Sequence, residues 1–399
     1  MRKILIILCL FLFSVSLYAE VFTYKYSQGE KYKIVSVVDE NVYLDGLFLH
    51  QARILSKISV EIIKSFEDGS SEIEANYLIS EKLHENVQVY ALDQEYYSSF
   101  NRDKTGLIDI DPSYFMPVVR NVPLFDGRDY QPGDSWEMEG YEVHDFRASY
   151  GIEEAFSFPI KVKYKYLGKG EKDGNEYDII SIFYSISERS SEYYSRYSIY
   201  PVKITGYSDQ TMYWDNITGR PYAYEEEFSI RVNLSNGQMH EFTGTAAARV
   251  TESELMDKNL IAKNIGEQLE KERLENAVVN IDENGVTITL GSINFGADSS
   301  ELSFAEKKKL DVIIDILKNY PERDVLITGH TALAGTPGGR LELSKQRASM
   351  VAEYFFSEGV KRRDQLLIIG KGATDPIADN STAAGMTLNR RVEITIVEN

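Results

Sequence analysis

The chain has 399 residues, 43% of them hydrophobic, which allows two or more domains with real cores and excludes a disordered chain. It carries 62 acidic and 43 basic residues, a formal net charge of −19 at pH 7. Because binding to a nucleic acid duplex needs clustered Lys and Arg that release counterions from phosphates, this balance argues against nucleic acid as a partner.

Residues 1–19 have the pattern of a secretory signal peptide. Arg2 and Lys3 precede an apolar run at residues 4–13, which is followed by small residues at Ser14, Ser16 and Ala19. We expect export and cleavage after Ala19; a membrane anchor is the alternative, but the run is short for a bilayer. Cys9 is the single cysteine and lies within the run, so the exported chain should contain no thiol, no disulfide and no cysteine-based metal site.

Residues 20–250 are rich in Tyr, Phe, Val and Ile that alternate with polar residues, which is typical of antiparallel sheet. Trp136 follows a turn, and we expect it to be buried at the start of a strand. The alternation predicts two hairpins, formed by residues 57–62 with 72–77 and by residues 161–166 with 177–186. Further strands are expected at residues 198–204, 211–214, 222–234 and 241–250.

Two architectures fit residues 20–250. One is a soluble curved sheet or half-open barrel with a dry face and a charged face. The other is a transmembrane barrel, which has the same alternation and abundant aromatic residues. The segments vary in length and some carry charge on both faces, as at residues 225–227. This irregularity favours the soluble sheet.

No catalytic set can be recognised in this part of the sequence. Four histidines, His50, His84, His144 and His240, lie far apart and do not have the spacing of metal ligands. Carboxylates are so numerous that the sequence cannot place any two of them together. We therefore expect a non-enzymatic protein without a cofactor, with a hydrolase in the β-rich part as the lesser alternative.

A helical linker is expected at residues 251–277. Thr251 with Glu254 forms a capping-box pattern, and Leu and Ile recur at helical spacings among many charges. A coiled-coil dimer is the alternative.

Strands and helices alternate along residues 278–399, which predicts a mixed sheet covered by helices. The expected order is a hairpin at 279–290, a helix capped by Ser303, a strand at 324–328, a helix with Thr336 as N-cap and Gly359 as its end, a strand at 366–370, a loop to Leu388 and a strand at 392–396. The expected fold class is thus α+β, with a β-rich antiparallel N-terminal domain followed by this mixed sheet.

Motifs spread over the last 120 residues or so resemble a known family. They are Ile293-Asn294-Phe295, Gly329-His330-Thr331, Leu343-Ser344 with Arg347-Ala348, the run from Pro376 to Thr382, and Asn389-Arg390-Arg391. In this order they resemble the OmpA-like C-terminal domain. The resemblance implies that residues 278–399 bind the peptide stem of peptidoglycan without a covalent bond, in an exported periplasmic protein associated with the outer membrane.

The resemblance also implies a set of ligand-binding residues: Thr331, Ala332, Arg340, Arg347, Asn389 and Arg391. In the family an Asp directly after the Gly-His-Thr turn and the Arg of the Leu-Ser-x-x-Arg-Ala run hold the diamino acid of the stem. Here Arg347 is kept, Ala332 replaces the Asp, and Arg340 replaces an Asn eight positions further on.

The site should therefore still attract a carboxylate, through the Arg347 guanidinium and the helix N-terminus. It should lose the charge-assisted bond to an ammonium, which is worth about 1.5–3 kcal/mol, or roughly ten- to a hundred-fold in affinity. At least one of Arg390 and Arg391 is expected to form a structural ion pair. The alternative function is an envelope scaffold that contacts outer-membrane or periplasmic proteins and does not bind the wall.

Overall fold

The computed structural model describes residues 19–84, 87–252, 256–274, 277–282, 284–291 and 302–397, with the side chains of residues 83–89 and 252 left aside. The predicted signal peptide up to Tyr18 and the motif Ile293-Asn294-Phe295 lie outside these residues. No helix in the described part of the chain is both long and apolar enough to cross a membrane.

The strands of the N-terminal part are β1 (Glu20–Val21), β2 (Lys31–Leu44), β3 (Leu47–Ser65), β4 (Ser71–His84), β5 (Val87–Arg102), β6 (Ile108–Ile110), β7 (Val119–Arg120), β8 (Asp129–Tyr130), β9 (Ser135–His144), β10 (Phe156–Lys172), β11 (Asn175–Arg189), β12 (Pro201–Asp215), β13 (Arg220–Leu234) and β14 (Met239–Glu252). One short helix, α1 (Arg147–Tyr150), and a 3-10 turn at Glu192–Arg196 interrupt them.

The remaining elements are α2 (Lys258–Lys271), β15 (Ala277–Ile281), β16 (Gly285–Gly291), α3 (Phe304–Leu317), β17 (Val325–Gly329), α4 (Pro337–Ser357), a 3-10 turn at Arg363–Gln365, β18 (Leu366–Gly370), α5 (Ala383–Asn389) and β19 (Arg391–Val397).

Ten long strands form one antiparallel sheet in the order β9-β10-β11-β12-β13-β14-β2-β3-β4-β5. The sheet curls until its two edges meet. The Tyr96 hydroxyl on β5 donates to Asp145 just after β9 (2.9 Å), and Ser98 donates to the carbonyl of Met116 (2.7 Å) in the connection between the edges. Both predicted hairpins are confirmed, as β3 with β4 and β10 with β11, and Trp136 is buried.

One prediction for this sheet is wrong. Residues 198–204 and 211–214 were expected to form two strands, but β12 runs unbroken from Pro201 to Asp215. The cause lies in Ser208 and Gln210, which are buried although they are polar. They interrupt the apolar alternation that marks a strand in the sequence.

The C-terminal part contains a five-stranded mixed sheet in the order β15-β16-β19-β17-β18, in which β17 and β18 are parallel. Its core buries apolar side chains of α2, α3 and α4 against one face of the sheet. Ser303 and Thr336 are confirmed as N-caps, because their side chains accept hydrogen bonds from the amides of Glu306 (3.3 Å) and Gly339 (3.2 Å). The fold class expected from the sequence is confirmed.

The structure corrects two helix predictions. The linker helix begins with Asp257 as N-cap, whose side chain accepts from the Leu260 amide, whereas Thr251 pairs with Lys33 inside the sheet. Glu254, its proposed partner, lies outside the described residues. The segment expected to be a loop up to Leu388 contains α5, whose N-cap Thr382 accepts from the Gly385 amide (3.0 Å).

The two parts of the chain share an interface. β18 pairs in parallel with β5, at Leu367 opposite Tyr90 and Ile368 opposite Ala91. Leu367 and Leu326, on the sheet face opposite the helices, pack with Leu55 of the curled sheet. At the same interface the Asp324 carboxylate contacts the ammonium groups of Lys33 (2.9 Å) and Lys57 (2.8 Å), all three side chains being buried.

We predict that Asp324→Asn destabilises the protein strongly. Burial opposes the charge of Asp324, but Lys57 and Lys33 outweigh burial and hold the pKa of Asp324 below its usual range. Removing the carboxylate leaves two buried ammonium groups without a counter-charge, which typically costs about 3–5 kcal/mol. Urea unfolding followed by circular dichroism measures the loss.

Asp315→Asn is the matched control, because Asp315 forms an exposed pair with Lys318 on α3. Its free energy of unfolding should change by no more than about 0.5 kcal/mol. Equal effects of the two substitutions would contradict the interface.

Candidate functional site

The loop between β17 and α4 is held against the segment that follows β18. The Thr331 amide donates to the Gly372 carbonyl (2.7 Å), and the Leu333 amide donates to the Asn380 side-chain oxygen (3.0 Å). At the end of the loop, Thr336 caps α4 and Pro337 occupies its first position, where a missing amide hydrogen costs nothing. The loop therefore has one defined path into the helix.

Small residues let α4 lie directly on the ends of the two parallel strands. A Cβ atom on Gly329 would come within 2.1 Å of the Ser344 carbonyl oxygen, and one on Gly370 within 2.6 Å of the Ser344 hydroxyl oxygen. The Ser344 hydroxyl accepts from the Gly372 amide (2.9 Å) and donates to the Leu341 carbonyl (2.7 Å). The glycines and Ser344 thus fix the first turns of α4 at the carboxyl ends of β17 and β18.

The two arginines on α4 differ in their surroundings. Arg347 is buried, with 4% of its surface exposed. Arg340 is half-buried, and its guanidinium donates to the Gly335 carbonyl in the preceding loop. Arg340 therefore bonds to the loop that precedes α4, whereas the side chain of Arg347 is buried inside the domain.

The loop itself presents a methyl group and an unused hydroxyl. Ala332 is buried, with 4% of its surface exposed, at the position where the resemblance implies an acid. The neighbouring Thr331 is also buried, and its hydroxyl has no hydrogen-bond partner among the described residues. An unsatisfied buried hydroxyl is costly unless something bonds to it. Thr331 is thus the candidate residue whose polar atom is left for a ligand.

Asn389 holds the segment between β18 and α5. Its side-chain oxygen accepts from the amides of Ile377 (2.8 Å) and Ala378 (2.9 Å), and its nitrogen donates to the Ala378 carbonyl (2.8 Å) and to Asn380 (2.9 Å). All four of its hydrogen bonds are therefore used within the chain. The Asn380 side-chain oxygen accepts from both Asn389 and the Leu333 amide and so links the two segments, a role that we did not predict from the sequence.

Arg391 is likewise engaged within the domain. Its Nε and Nη2 atoms each lie 2.8 Å from Glu393 Oε1, and its Nη1 atom donates to the Asp375 carbonyl (3.0 Å). This confirms the structural ion pair expected at Arg390 or Arg391. Asn389 and Arg391 thus shape the wall of the site, whereas Thr331, Ala332 and Arg340 lie on the loop and the start of α4.

A second polar contact lies under the loop. His330 is 1% exposed, and its Nε2 atom is 3.3 Å from Glu393 Oε2. Burial opposes the charge of Glu393, but His330 and Arg391 outweigh burial and lower the pKa of Glu393 to about 2. Over the described residues, no group of three or more His, Cys, Asp or Glu could hold a metal ion.

Known proteins resemble the end of the chain. Residues 294–390 match the model of the OmpA family, so this part of the chain is an OmpA-like domain. The "Peptidoglycan-binding protein ArfA" of Mycobacterium tuberculosis is 40% identical over 109 residues, which cover 27% of this chain and 33% of that protein. The "Probable lipoprotein YiaD" of Escherichia coli is 33% identical over 129 residues, 32% of this chain and 58% of that protein.

Among solved structures, an outer membrane protein from Borrelia burgdorferi B31 is 32% identical, with a TM-score of 0.26. The match covers 30% of this chain and 96% of that one. The present chain spans a third of the mycobacterial relative and 58% of the Escherichia coli relative. The similarity to these proteins is thus a similarity of one domain.

We predict that Glu393 makes the domain sensitive to acid. A carboxyl group whose pKa is lower in the folded state stabilises the fold above its unfolded value of 4.5, and this stabilisation is lost as the pH falls through about 2. Glu393→Gln should lower the free energy of unfolding at pH 6 by about 1–2 kcal/mol, because solvent screening of this partly exposed group reduces the effect, and it should flatten the dependence on pH.

Urea unfolding at pH 6, 4.5, 3.5 and 2.5, roughly the range over which this linkage acts, measures the effect. Glu342→Gln, at an exposed carboxylate on α4, is the control and should keep the pH dependence of the unmodified chain. If the Glu393 variant keeps that dependence too, the proposed charge pairing is wrong.

Proposed function

We propose that this chain is a non-enzymatic protein of the cell envelope, exported to the periplasm, whose OmpA-like domain binds peptidoglycan without a covalent bond. The proposal rests on Arg347, which is kept within the Leu-Ser-x-x-Arg-Ala run and buried at the middle of α4. The 40% identity of this region to a protein named for binding peptidoglycan supports the same function.

The chemistry of the site suits a carboxylate. A guanidinium can hold a carboxylate through two parallel hydrogen bonds, and the amides at the start of a helix favour an anion. Arg347 and the start of α4 supply these two features, and the Thr331 hydroxyl adds a donor or acceptor with no partner in the described chain. We therefore assign the carboxylate of a stem-peptide diamino acid to this site.

The site lacks a partner for the ammonium of the same diamino acid. Ala332 contributes a methyl group, and the nearby Arg340 adds positive charge. Compared with a site that holds both charges, we expect binding to be weaker by roughly ten- to a hundred-fold. Binding is thus weak, or selective for stems in which that ammonium is blocked or absent.

A scaffold that joins envelope proteins without touching the wall is the second candidate function. The uncharged Ala332 favours it, because the resemblance implies an Asp at this position. Arg340 favours it as well, because it stands where the resemblance implies an Asn and its guanidinium donates to the Gly335 carbonyl. Binding of the intact protein to purified cell wall distinguishes the two functions.

The first functional prediction concerns Arg347. Arg347→Met keeps an apolar stem of similar length but removes the guanidinium, so binding to purified cell wall should weaken by about tenfold or more. Co-sedimentation over a range of wall concentrations measures the affinity, and thermal melting establishes that the variant is folded. The affinity of Arg347→Lys for the wall should fall between those of the unmodified chain and Arg347→Met, because an ammonium cannot form the two parallel bonds.

Arg362→Met is the control, since Arg362 is an exposed arginine of the same domain that pairs with Asp364. It should bind the wall as the unmodified chain does. If the unmodified chain does not sediment with the wall, the scaffold is favoured; if all variants bind equally, Arg347 is not the binding residue.

The second functional prediction concerns the missing acid. Ala332→Asp should strengthen binding of a stem peptide with a free diamino-acid ammonium by roughly ten- to a hundred-fold, because it restores the charge-assisted bond. Ala332→Asn matches the Asp variant in size without its charge and should show no such gain. Titration calorimetry measures the affinity of each variant for two peptides, one with a free diamino-acid ammonium and one in which that amine is acetylated. Equal affinities of the Asp and Asn variants would show that no ammonium binds here.

A further inference from the structure

The curled sheet of the N-terminal part lines a partly open cavity between two separate cores. One core lies along β9 to β13 and the other along β2 to β6. Between them the inner face of the sheet carries small buried side chains, Ser36, Ala223, Ala246 and Ala248, which leave a cavity of about 480 Å³. The space therefore results from residue size in the middle of the sheet.

The wall of the cavity is mainly apolar. Ile34, Ile58, Val60 and Val250 line it on one side, and Met212 and Ile230 on the other. Pockets for small organic ligands typically measure about 300–1,000 Å³ and combine such a lining with a few polar groups. The volume thus suits a ligand with a single apolar chain better than a lipid with two chains.

One charged group projects into this space without a counter-charge. The Arg102 guanidinium donates from Nε to the Tyr26 hydroxyl (2.9 Å) and stacks on the Tyr24 ring (4.3 Å to its centre). No carboxylate of the described residues lies within the 4 Å of an ion pair with it. An arginine stays protonated under all conditions in proteins, and an unpaired buried charge is costly. Arg102 thus provides donors for an anion.

The acidic groups of the cavity differ from Arg102 in one respect. Glu226 accepts hydrogen bonds from Ser208 (2.6 Å) and Gln210 (3.3 Å), and burial raises its pKa. Glu142 lies 2.8 Å from the His144 ring. Glu226 can become neutral by taking up a proton and Glu142 has the His144 ring as a partner, whereas a guanidinium cannot lose its proton. The charge that requires a partner from outside the chain is therefore the positive one.

We propose that this cavity binds a single-chain amphiphile with an anionic head, such as a long-chain fatty acid. The head contacts the Arg102 guanidinium beside the Tyr26 hydroxyl, and the chain lies along the apolar wall toward Ala246 and Ala248. This site is independent of the OmpA-like domain and of its ligand. A fatty acid and a single-chain phosphate lipid share the required chemistry, and the test separates them.

The test uses the purified full chain, freed of lipid, and a fluorescent long-chain fatty acid as the probe to be displaced. The competitors are hexadecanoate, hexadecan-1-ol, hexadecylamine and a hexadecanoyl lysophosphatidate. Hexadecanoate should bind at least about tenfold more tightly than the alcohol, and the amine more weakly still. Tighter binding of the lysophosphatidate than of hexadecanoate identifies a phosphate lipid as the ligand.

Arg102→Met should lower the affinity for hexadecanoate by about tenfold or more and change the affinity for hexadecan-1-ol by no more than about twofold. Arg231→Met is the control, because Arg231 lies on the surface and pairs with Glu241. Ala248→Phe, which fills the cavity, should block the acid and the alcohol alike while Arg102 is unchanged. Thermal melting checks that each variant is folded.

The proposal fails if the unmodified chain does not bind hexadecanoate, or if the amine binds more tightly than the acid. It also fails if Arg102→Met lowers the affinities for the acid and for the alcohol equally. Should Arg102→Met not fold, the comparison of acid, alcohol and amine on the unmodified chain decides, together with the block by Ala248→Phe.

Discussion

The arrangement of the two parts of this chain depends on one buried carboxylate, that of Asp324, between Lys33 and Lys57. Charges that are removed from water are tolerated when each has a partner in close contact, so the two sheets must meet where all three groups coincide. The contact lies just before β17 and fixes the face of the OmpA-like sheet that turns toward the N-terminal sheet. The packing of Leu326 and Leu367 follows from this orientation.

Much of the fold could be predicted because its signals are local. Alternation reveals which residues share a face of a strand, and the caps Ser303 and Thr336 mark helix starts through the chemistry of a single turn. The pairing of β14 with β2 joins residues about two hundred positions apart, and alternation does not encode partners. Thr251 illustrates the limit: its sequence suits a helix cap, but pairing with Lys33 in the sheet takes precedence.

The location of the candidate site could be predicted from the sequence, but the bonding of its side chains could not. The resemblance located Thr331, Ala332 and Arg347 on one loop and helix, because motifs preserve the order of residues. It did not reveal that Asn389 and Arg391 use their polar atoms inside the chain, since the same residue types serve ligands and loops alike. The environment of Arg102 was also hidden, because the lack of a carboxylate beside it depends on the path of every neighbouring strand.

The pairing of β5 with β18 has a consequence for how such a protein can be assembled from parts. β18 is the outermost strand of the OmpA-like sheet, and β5 covers backbone groups that would otherwise be open to another chain. Separating the halves would uncover this edge together with Leu326 and Leu367, and each piece would present a surface prone to aggregation. The OmpA-like domain of this chain therefore depends on the N-terminal part to cover this edge and the two leucines.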